Sequence, residues 1–143
     1  MIMKKIILFT SFFLLGSVLN LYSQNKPIDD NAEFYSQKVQ PNMKAGETYT
    51  VKVTFKNTGA KTWDKGEYWI IYTDPRMSAM NNNVWGVDSV AIKKNVKKGN
   101  RYEFKFTVTA PQEPGIYFFG WMLCNRNGTF GFGSDMQQIL VSK

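Results

Sequence analysis

Four carboxylates in the middle of the chain have side chains that could do chemistry: Asp64, Glu67, Asp74 and Asp88. Two such groups can hydrolyse a glycosidic bond when one donates a proton and the other acts as nucleophile. The spacing of these four follows no such pattern, and scattered acidic residues are ordinary on protein surfaces. We therefore expect surface acids and no catalytic activity.

The other catalytic and metal-binding classes are limited by composition. The chain has no histidine and one cysteine, Cys124, which excludes Ser-His-Asp and Cys-His nucleophiles and every histidine metal site. The acids, together with Asn81, Asn82 and Asn83, offer oxygen ligands for calcium, but the run lacks a defined ligand spacing. We expect a polar loop there, no metal and no cofactor. A single cysteine also forms no internal disulfide, so packing alone must stabilise the fold.

The first 24 residues have the layout of a secretory signal peptide. Lys4 and Lys5 form a basic start, an apolar stretch follows, and Ser23 and Gln24 form a short polar end. The apolar stretch is interrupted by small and polar residues, and it falls short of the roughly 20 residues that a spanning helix needs. We predict cleavage near Ser23 or Gln24, export to the periplasm or beyond, and no membrane span in the mature chain.

The rest of the chain is long enough for one domain with one core. Residues 25–32 are polar and contain Pro27, so we predict a flexible lead-in, and we assign residues 33–143 to a single domain. The densest basic cluster is KKNVKK, residues 93–98. Such a cluster can bind nucleic acid or an anionic sugar, but Gly99 follows it, as is typical of a solvated turn. We therefore predict a turn and no nucleic-acid partner.

Strand patterns fill the domain. The segments ETYTVKVTFKN (47–57) and RYEFKFTVTAP (101–111) alternate apolar and polar residues, which is typical of antiparallel strands with one solvated face. A first strand near residues 34–39 and a last one near 136–141 bring the count to about seven, with turn residues between them and no helical period. The pattern predicts an all-β, immunoglobulin-like antiparallel sandwich of about seven strands.

Two segments are apolar on both faces, EYWIIY (67–72) and IYFFGWMLC (116–124). In an immunoglobulin-type sandwich these two strands lie side by side in one sheet. Their outer faces would then merge into an apolar patch, and a patch of that kind usually marks an interaction surface. The alternative is that the lead-in or the loop 74–84 covers it. The residues of the predicted patch are Trp69, Ile71, Phe118 and Met122, with Gly120 as a shallow floor.

Three sequence segments, in this order, carry a resemblance to a known family. They are VQPNMKAGETYTVKVTFKNTGAKTW, NNVWGVDSVAIKKNVKKG and FKFTVTAPQEPGIYFFGWMLCNRNGTFGFG. Together they resemble the four-tryptophan domain, the Ig-like domain in the middle of a eukaryotic autophagy receptor, whose bacterial relatives sit in exported and cell-surface proteins. The resemblance covers residues 37–141. It implies protein binding without catalysis. The residues in its motif contexts, which we assign to the core, are Trp63, Trp85, Tyr117 and Trp121.

The sequence departs from that family in its tryptophans. Trp69 has no motif context, and Val53 stands where the receptor has a tryptophan in the second strand. The leading hypothesis is an exported, non-catalytic module that binds an unknown protein partner, or itself, through the apolar patch. The alternative is a carbohydrate-binding module that uses Trp69 or Trp85 to stack on a polysaccharide. These two hypotheses require different surfaces, a contiguous apolar patch or an isolated ring among polar groups.

Overall fold

The computed structural model describes residues 28–74 and 83–143, and ten strands lie within them. No helix in these two ranges is long and apolar enough to cross a membrane. The predicted signal peptide and the residues Asn81 and Asn82 lie outside the described residues. The strands are β1 (Ala32–Lys38), β2 (Asn42–Lys44), β3 (Thr48–Asn57), β4 (Tyr68–Tyr72), β5 (Ser89–Ala91), β6 (Arg101–Thr109), β7 (Gly115–Phe119), β8 (Trp121–Asn125), β9 (Gly128–Phe130) and β10 (Gln137–Ser142).

One sheet has the order β1-β3-β6, with all its pairs antiparallel. Its strands follow the predicted alternation, because Val53 lies opposite Phe104 and both are buried, whereas Lys52 lies opposite Lys105 on the other face. The apolar side of each strand therefore faces the core, as half-buried antiparallel strands require.

The other layer contains two hydrogen-bonded sheets, β5-β4-β8-β9 and β2-β10-β7. β7 and β8 follow one another across Gly120, and Phe119 and Trp121 on either side of it are both fully buried. The same side of the chain thus faces the core before and after the glycine. The predicted single strand is divided because its neighbour changes from β10 to β9, and β2 pairs with β10 in parallel.

Three tryptophans form the centre of the core, since Trp63, Trp85 and Trp121 have no exposed surface. Each packs on other aromatic rings. The ring centroids of Trp85 and Phe119 are 5.6 Å apart and those of Trp121 and Phe106 are 4.8 Å apart, and both pairs meet edge to face. Such ring pairs contribute roughly 0.5–1.5 kcal/mol beyond the burial of their area. The core assignment of these tryptophans agrees with their burial.

The hydrogen bonds of Asn57 give a structural reason for the Asn-Thr-Gly sequence that begins at the last residue of β3. Its side chain is fully buried, and its amide donates to the carbonyl oxygens of Lys61 at 2.8 Å and Val96 at 2.9 Å. Its own side-chain oxygen accepts from the backbone N–H of Gly59 at 3.0 Å. One buried amide therefore bonds three backbone groups, two of which, the Val96 carbonyl and the Gly59 N–H, also have a backbone partner in Trp63 and Asn31.

The start of the domain lies earlier than predicted. The carbonyl oxygens of Ile28 and Asp29 accept hydrogen bonds from Ala60 and Lys61, both at 2.9 Å. A β-carbon on Gly59 would stand 2.5 Å from the carbonyl oxygen of Asp29, so only glycine allows this approach. Residues 28–32 are therefore not a loose lead-in but part of the packed domain.

Tyr117 supplies a further feature of immunoglobulin-like sandwiches. Its hydroxyl donates to the backbone carbonyl of Glu113 at 2.7 Å, four residues upstream. A tyrosine near the start of this strand that bonds back to the preceding turn is the corner found in that architecture. The all-β sandwich prediction is confirmed, although the count of seven strands missed β2 and β9 and the division at Gly120.

Candidate protein-binding surface

The two doubly apolar segments lie side by side, because β4 pairs with β8 in antiparallel register. Trp69 lies opposite Cys124 and Ile71 lies opposite Met122. All four are half-buried and point away from the core, since their neighbours Ile70 and Leu123 are fully buried. We call Trp69, Ile71, Met122 and Cys124 the apolar strip. The expected outward direction of Trp69 and Ile71 is therefore present in the structure.

Phe118 occupies a different position from the one predicted. It lies on β7, opposite Gln138 of β10, and not beside β4. Its carbonyl oxygen accepts from the indole N–H of Trp85 at 3.0 Å and from the Tyr72 hydroxyl at 3.3 Å. Phe118 therefore lies beyond the end of the apolar strip, because the strand changes neighbours between β7 and β8.

Gly120 is not an open floor. It is buried, and the sulfur of Met136 occupies the place where its β-carbon would stand. Met136 is held there by its own segment, because the Trp121 N–H donates to the Ser134 hydroxyl at 2.9 Å and the Ser134 N–H donates to the Trp121 carbonyl at 2.7 Å. The protein's own thioether thus fills the gap that was expected to admit another chain.

Trp85 is excluded as a sugar platform by its burial. Its ring has no exposed surface, and its N–H is engaged by the Phe118 carbonyl. Among the two tryptophans considered for stacking, only Trp69 keeps part of its ring accessible. A sugar-stacking site would therefore have to use the apolar strip itself.

The four carboxylates have different surroundings. Glu67 is bonded to Arg126, with Oε2 3.0 Å from Nε and Oε1 3.1 Å from an η nitrogen. Asp74 is buried with its Oδ2 3.4 Å from the Tyr72 hydroxyl oxygen, whereas Asp64 and Asp88 are exposed. Within the described ranges, no group of three acidic or cysteine side chains is placed to hold a metal.

A polar cleft that the sequence patterns missed lies near the start of β4, with a volume of about 240 Å³. At its wall, Asp30 accepts from the Tyr68 hydroxyl at 2.7 Å and from the Asn125 amide at 3.0 Å. Burial, followed by the bond to Asp30, raises the pKa of the Tyr68 phenol far above its ordinary value. The network joins the first residues of the domain to β4 and β8, so we read it as structural.

The sequence patterns also missed exposed apolar residues beyond the strip. Ile116 on β7 lies opposite Leu140 on β10, and these side chains are 61% and 51% exposed. Phe132, in the segment that carries Met136, is 74% exposed. The only signal for Leu140 was the unbroken apolar run 139–141, which alternation cannot assign to a face.

A comparison with known protein families identifies the family to which this chain belongs. A family model described as the Ig-like domain from next to BRCA1 gene matches residues 31–141. The chain belongs to this family of Ig-like domains. Such domains are generally binding modules without a reacting group, so membership agrees with a non-catalytic role. No curated protein matches the chain.

One solved structure supports the fold of this Ig-like domain. The chain is similar to the CARDB domain of a Pyrococcus furiosus protein, with a TM-score of 0.53 and 10% identity over 80% of this chain and 96% of that one. A β-glucosidase from Listeria innocua, solved in complex with glucose, matches with a TM-score of 0.42 and 16% identity. The match covers 80% of the Ig-like domain's chain but 16% of the glucosidase. At these identities the similarity to the CARDB domain supports the fold alone.

Proposed function

We propose that this Ig-like domain is an exported protein-binding module that contacts its partner through the apolar strip. The observation that supports it is the register of β4 and β8, which places Trp69, Ile71 and Met122 together on the outward face. An outward sheet face would ordinarily carry polar residues, as β3 and β6 do with Lys52 and Lys105. A contiguous apolar face of this kind is typical of an interaction surface.

Protein recognition fits this face better than sugar recognition. A sugar platform combines an aromatic ring with polar groups that bond hydroxyls, whereas the cross-strand neighbours of Trp69 are Cys124 and Ala91. Ile71 has Met122 on one side and Ser89 on the other. The thioether of Met122 is also adaptable, a property that suits surfaces which accept another protein. A second copy of the chain is the first partner to test.

The proposal also covers the subtype of this Ig-like domain and its location. We place the domain in the four-tryptophan type, supported by the burial of the motif residues Trp63, Trp85 and Trp121 in one core. Export rests on the leader pattern of residues 1–24. A bacterial, periplasmic or extracellular setting is part of the same proposal and is supported only by that leader pattern.

Oxidation of methionine by hydrogen peroxide tests whether the strip is a contact surface. Met122 and Met136 lie on the outward face and are half-buried, and Met43 is buried at 2% exposure and serves as the internal reference. In dilute protein, Met122 should oxidise much faster than Met43. At high protein concentration, the oxidation of Met122 should slow while that of Met43 stays constant.

The result separates the possible coverings of the strip. Protection that grows with concentration supports a protein contact made by a second copy. Rapid oxidation at every concentration shows an open strip and directs the search to a different protein. Protection of Met122 at every concentration, equal to that of Met43, means that the chain covers its own strip, and the proposal is then wrong.

A further inference from the structure

The outer face of the sheet β1-β3-β6 carries a row of three lysines. Lys38 on β1 lies opposite Lys52 on β3, and Lys52 lies opposite Lys105 on β6. Adjacent strands are about 4.8 Å apart, so the row places three like charges side by side across the sheet. Like charges directly opposite one another destabilise a sheet, so the alignment of the three lysines does not itself favour folding.

A second basic row crosses the same face four residues farther along β3. Lys56 lies opposite Arg101, with Glu33 on its other side. Glu103, between the two rows, bonds Lys52 with its Oε1 2.9 Å from the lysine nitrogen. On this face five basic side chains therefore meet two acidic ones. We call it the basic face, and its cations are Lys38, Lys52, Lys56, Arg101 and Lys105.

A β-bulge adds an aromatic ring to the basic face. The register of β1 shifts between Phe34 and Ser36, which leaves Tyr35 as the extra residue. Tyr35 is 51% exposed, and the guanidinium carbon of Arg101 lies 3.4 Å from the centre of its ring. Bulges commonly redirect a side chain in this way. The ring reaches across β3 and fixes the planar fork of Arg101 on the basic face.

We propose that the basic face binds a polysaccharide that carries carboxylates. Three observations fit this ligand: a flat row of lysines, threonine hydroxyls at Thr50, Thr54 and Thr107 on the same face, and an oriented guanidinium. A guanidinium fork matches a carboxylate with two parallel hydrogen bonds. Hydroxyls between the charges provide partners for the sugar hydroxyls. This inference is independent of the proposed protein contact, because it concerns the opposite sheet.

Other polyanions fit the basic face less well. Single-stranded nucleic acid binds by stacking bases on exposed rings, but Arg101 already covers the ring of Tyr35. A membrane surface is bound by cations beside apolar side chains that insert. Of the exposed large apolar residues in the described ranges, only Tyr35 lies on this face. An extended sugar polymer requires neither stacking nor insertion.

The test measures binding of the purified protein to polygalacturonate at about 0.1 M salt, where charges farther apart than about 10 Å are screened. The variant Lys38→Gln/Lys52→Gln/Lys105→Gln removes the lysine row. Its control removes the same net charge elsewhere, at the exposed Lys44, Lys65 and Lys143. We expect at least about tenfold weaker binding from the first variant and about twofold or less from the second. Thermal melting of both variants confirms folding, which outward side chains should not disturb.

Two further comparisons make the outcome decisive. Arg101→Lys keeps the charge but removes the fork, and we expect about threefold weaker binding or more. Uncharged pullulan should not bind, and a DNA single strand of equal charge should bind more weakly than polygalacturonate. Equal losses in both triple variants would mean that net charge alone acts, and tighter binding of DNA would assign the face to nucleic acid. Either result, or no binding to polygalacturonate, overturns the proposal.

Discussion

The sulfur of Met136 takes the place of a β-carbon on Gly120. Gly120 has no side chain on the outward face where β7 passes into β8, and the Met136 thioether fills that space. The bonds between Ser134 and Trp121 hold the two segments together beside it. The glycine thus serves the protein's own packing rather than the approach of another chain.

A double-mutant cycle tests this packing. Gly120→Ala places a methyl group against Met136 and near the Thr73 carbonyl, 3.1 Å from the new carbon, so we expect a loss of about 1–3 kcal/mol in unfolding free energy. Met136→Ala leaves a void and costs a similar amount. Because the new methyl group fills that void, the double variant should lose less than the sum of the two single variants. Urea unfolding measures all four proteins, and additive losses would contradict the contact.

The buried amide of Asn57 should be essential for stability. Asn57→Ala removes the bond to the Lys61 carbonyl and weakens the bonding of the Val96 carbonyl and the Gly59 N–H, which keep the Trp63 N–H and the Asn31 carbonyl as partners. We therefore expect a loss of about 1–3 kcal/mol. The matched control is Asn127→Ala at an exposed turn position, which should change the unfolding free energy by about 0.5 kcal/mol or less. Equal effects of the two substitutions would show that the Asn57 bonds do not stabilise the fold.

Tyr68 should make stability depend on alkaline pH. Its folded-state pKa is raised by burial and by Asp30, whereas the unfolded phenol titrates near pH 10. The stabilisation is therefore complete below about pH 10 and is lost as the pH rises through the folded-state pKa. Tyr68→Phe should cost about 1–2 kcal/mol at pH 8, and the difference from the wild type should shrink above pH 10.

Urea unfolding between pH 8 and pH 11 measures that difference. Tyr35→Phe, at an exposed position, controls for the general loss of one phenol. A gap between wild type and Tyr68→Phe that stays constant, or grows, above pH 10 would contradict the raised pKa.

The thiol of Cys124 offers a probe of the apolar strip. Burial raises the pKa of this thiol, so less of the reactive thiolate is present at pH 8 than in an ordinary cysteine. Iodoacetamide should therefore alkylate the folded protein more slowly than protein unfolded in urea. Trp69→Ala should speed the reaction, because Trp69 lies directly across the strand pair. An unchanged rate in that variant would mean that the indole does not shield the sulfur.

The features that sequence patterns predicted are those determined by local spacing. Alternation assigned Val53 and Phe104 to the core, and the two doubly apolar segments were expected to lie side by side, as β4 and β8 do. The errors depend on contacts between distant segments. The cover over Gly120 comes from residue 136, and the lysine row exists only through the register of three strands.

The most direct test of the protein-binding account is the solution mass of the wild type over a concentration series, beside two variants. Ile71→Lys places a charge on the apolar strip, and Ile28→Lys makes the same change at a 67% exposed position outside it. We predict that the wild type and Ile28→Lys associate as concentration rises, while Ile71→Lys remains a folded monomer. Association of Ile71→Lys equal to that of the wild type would show that the strip does not form the contact.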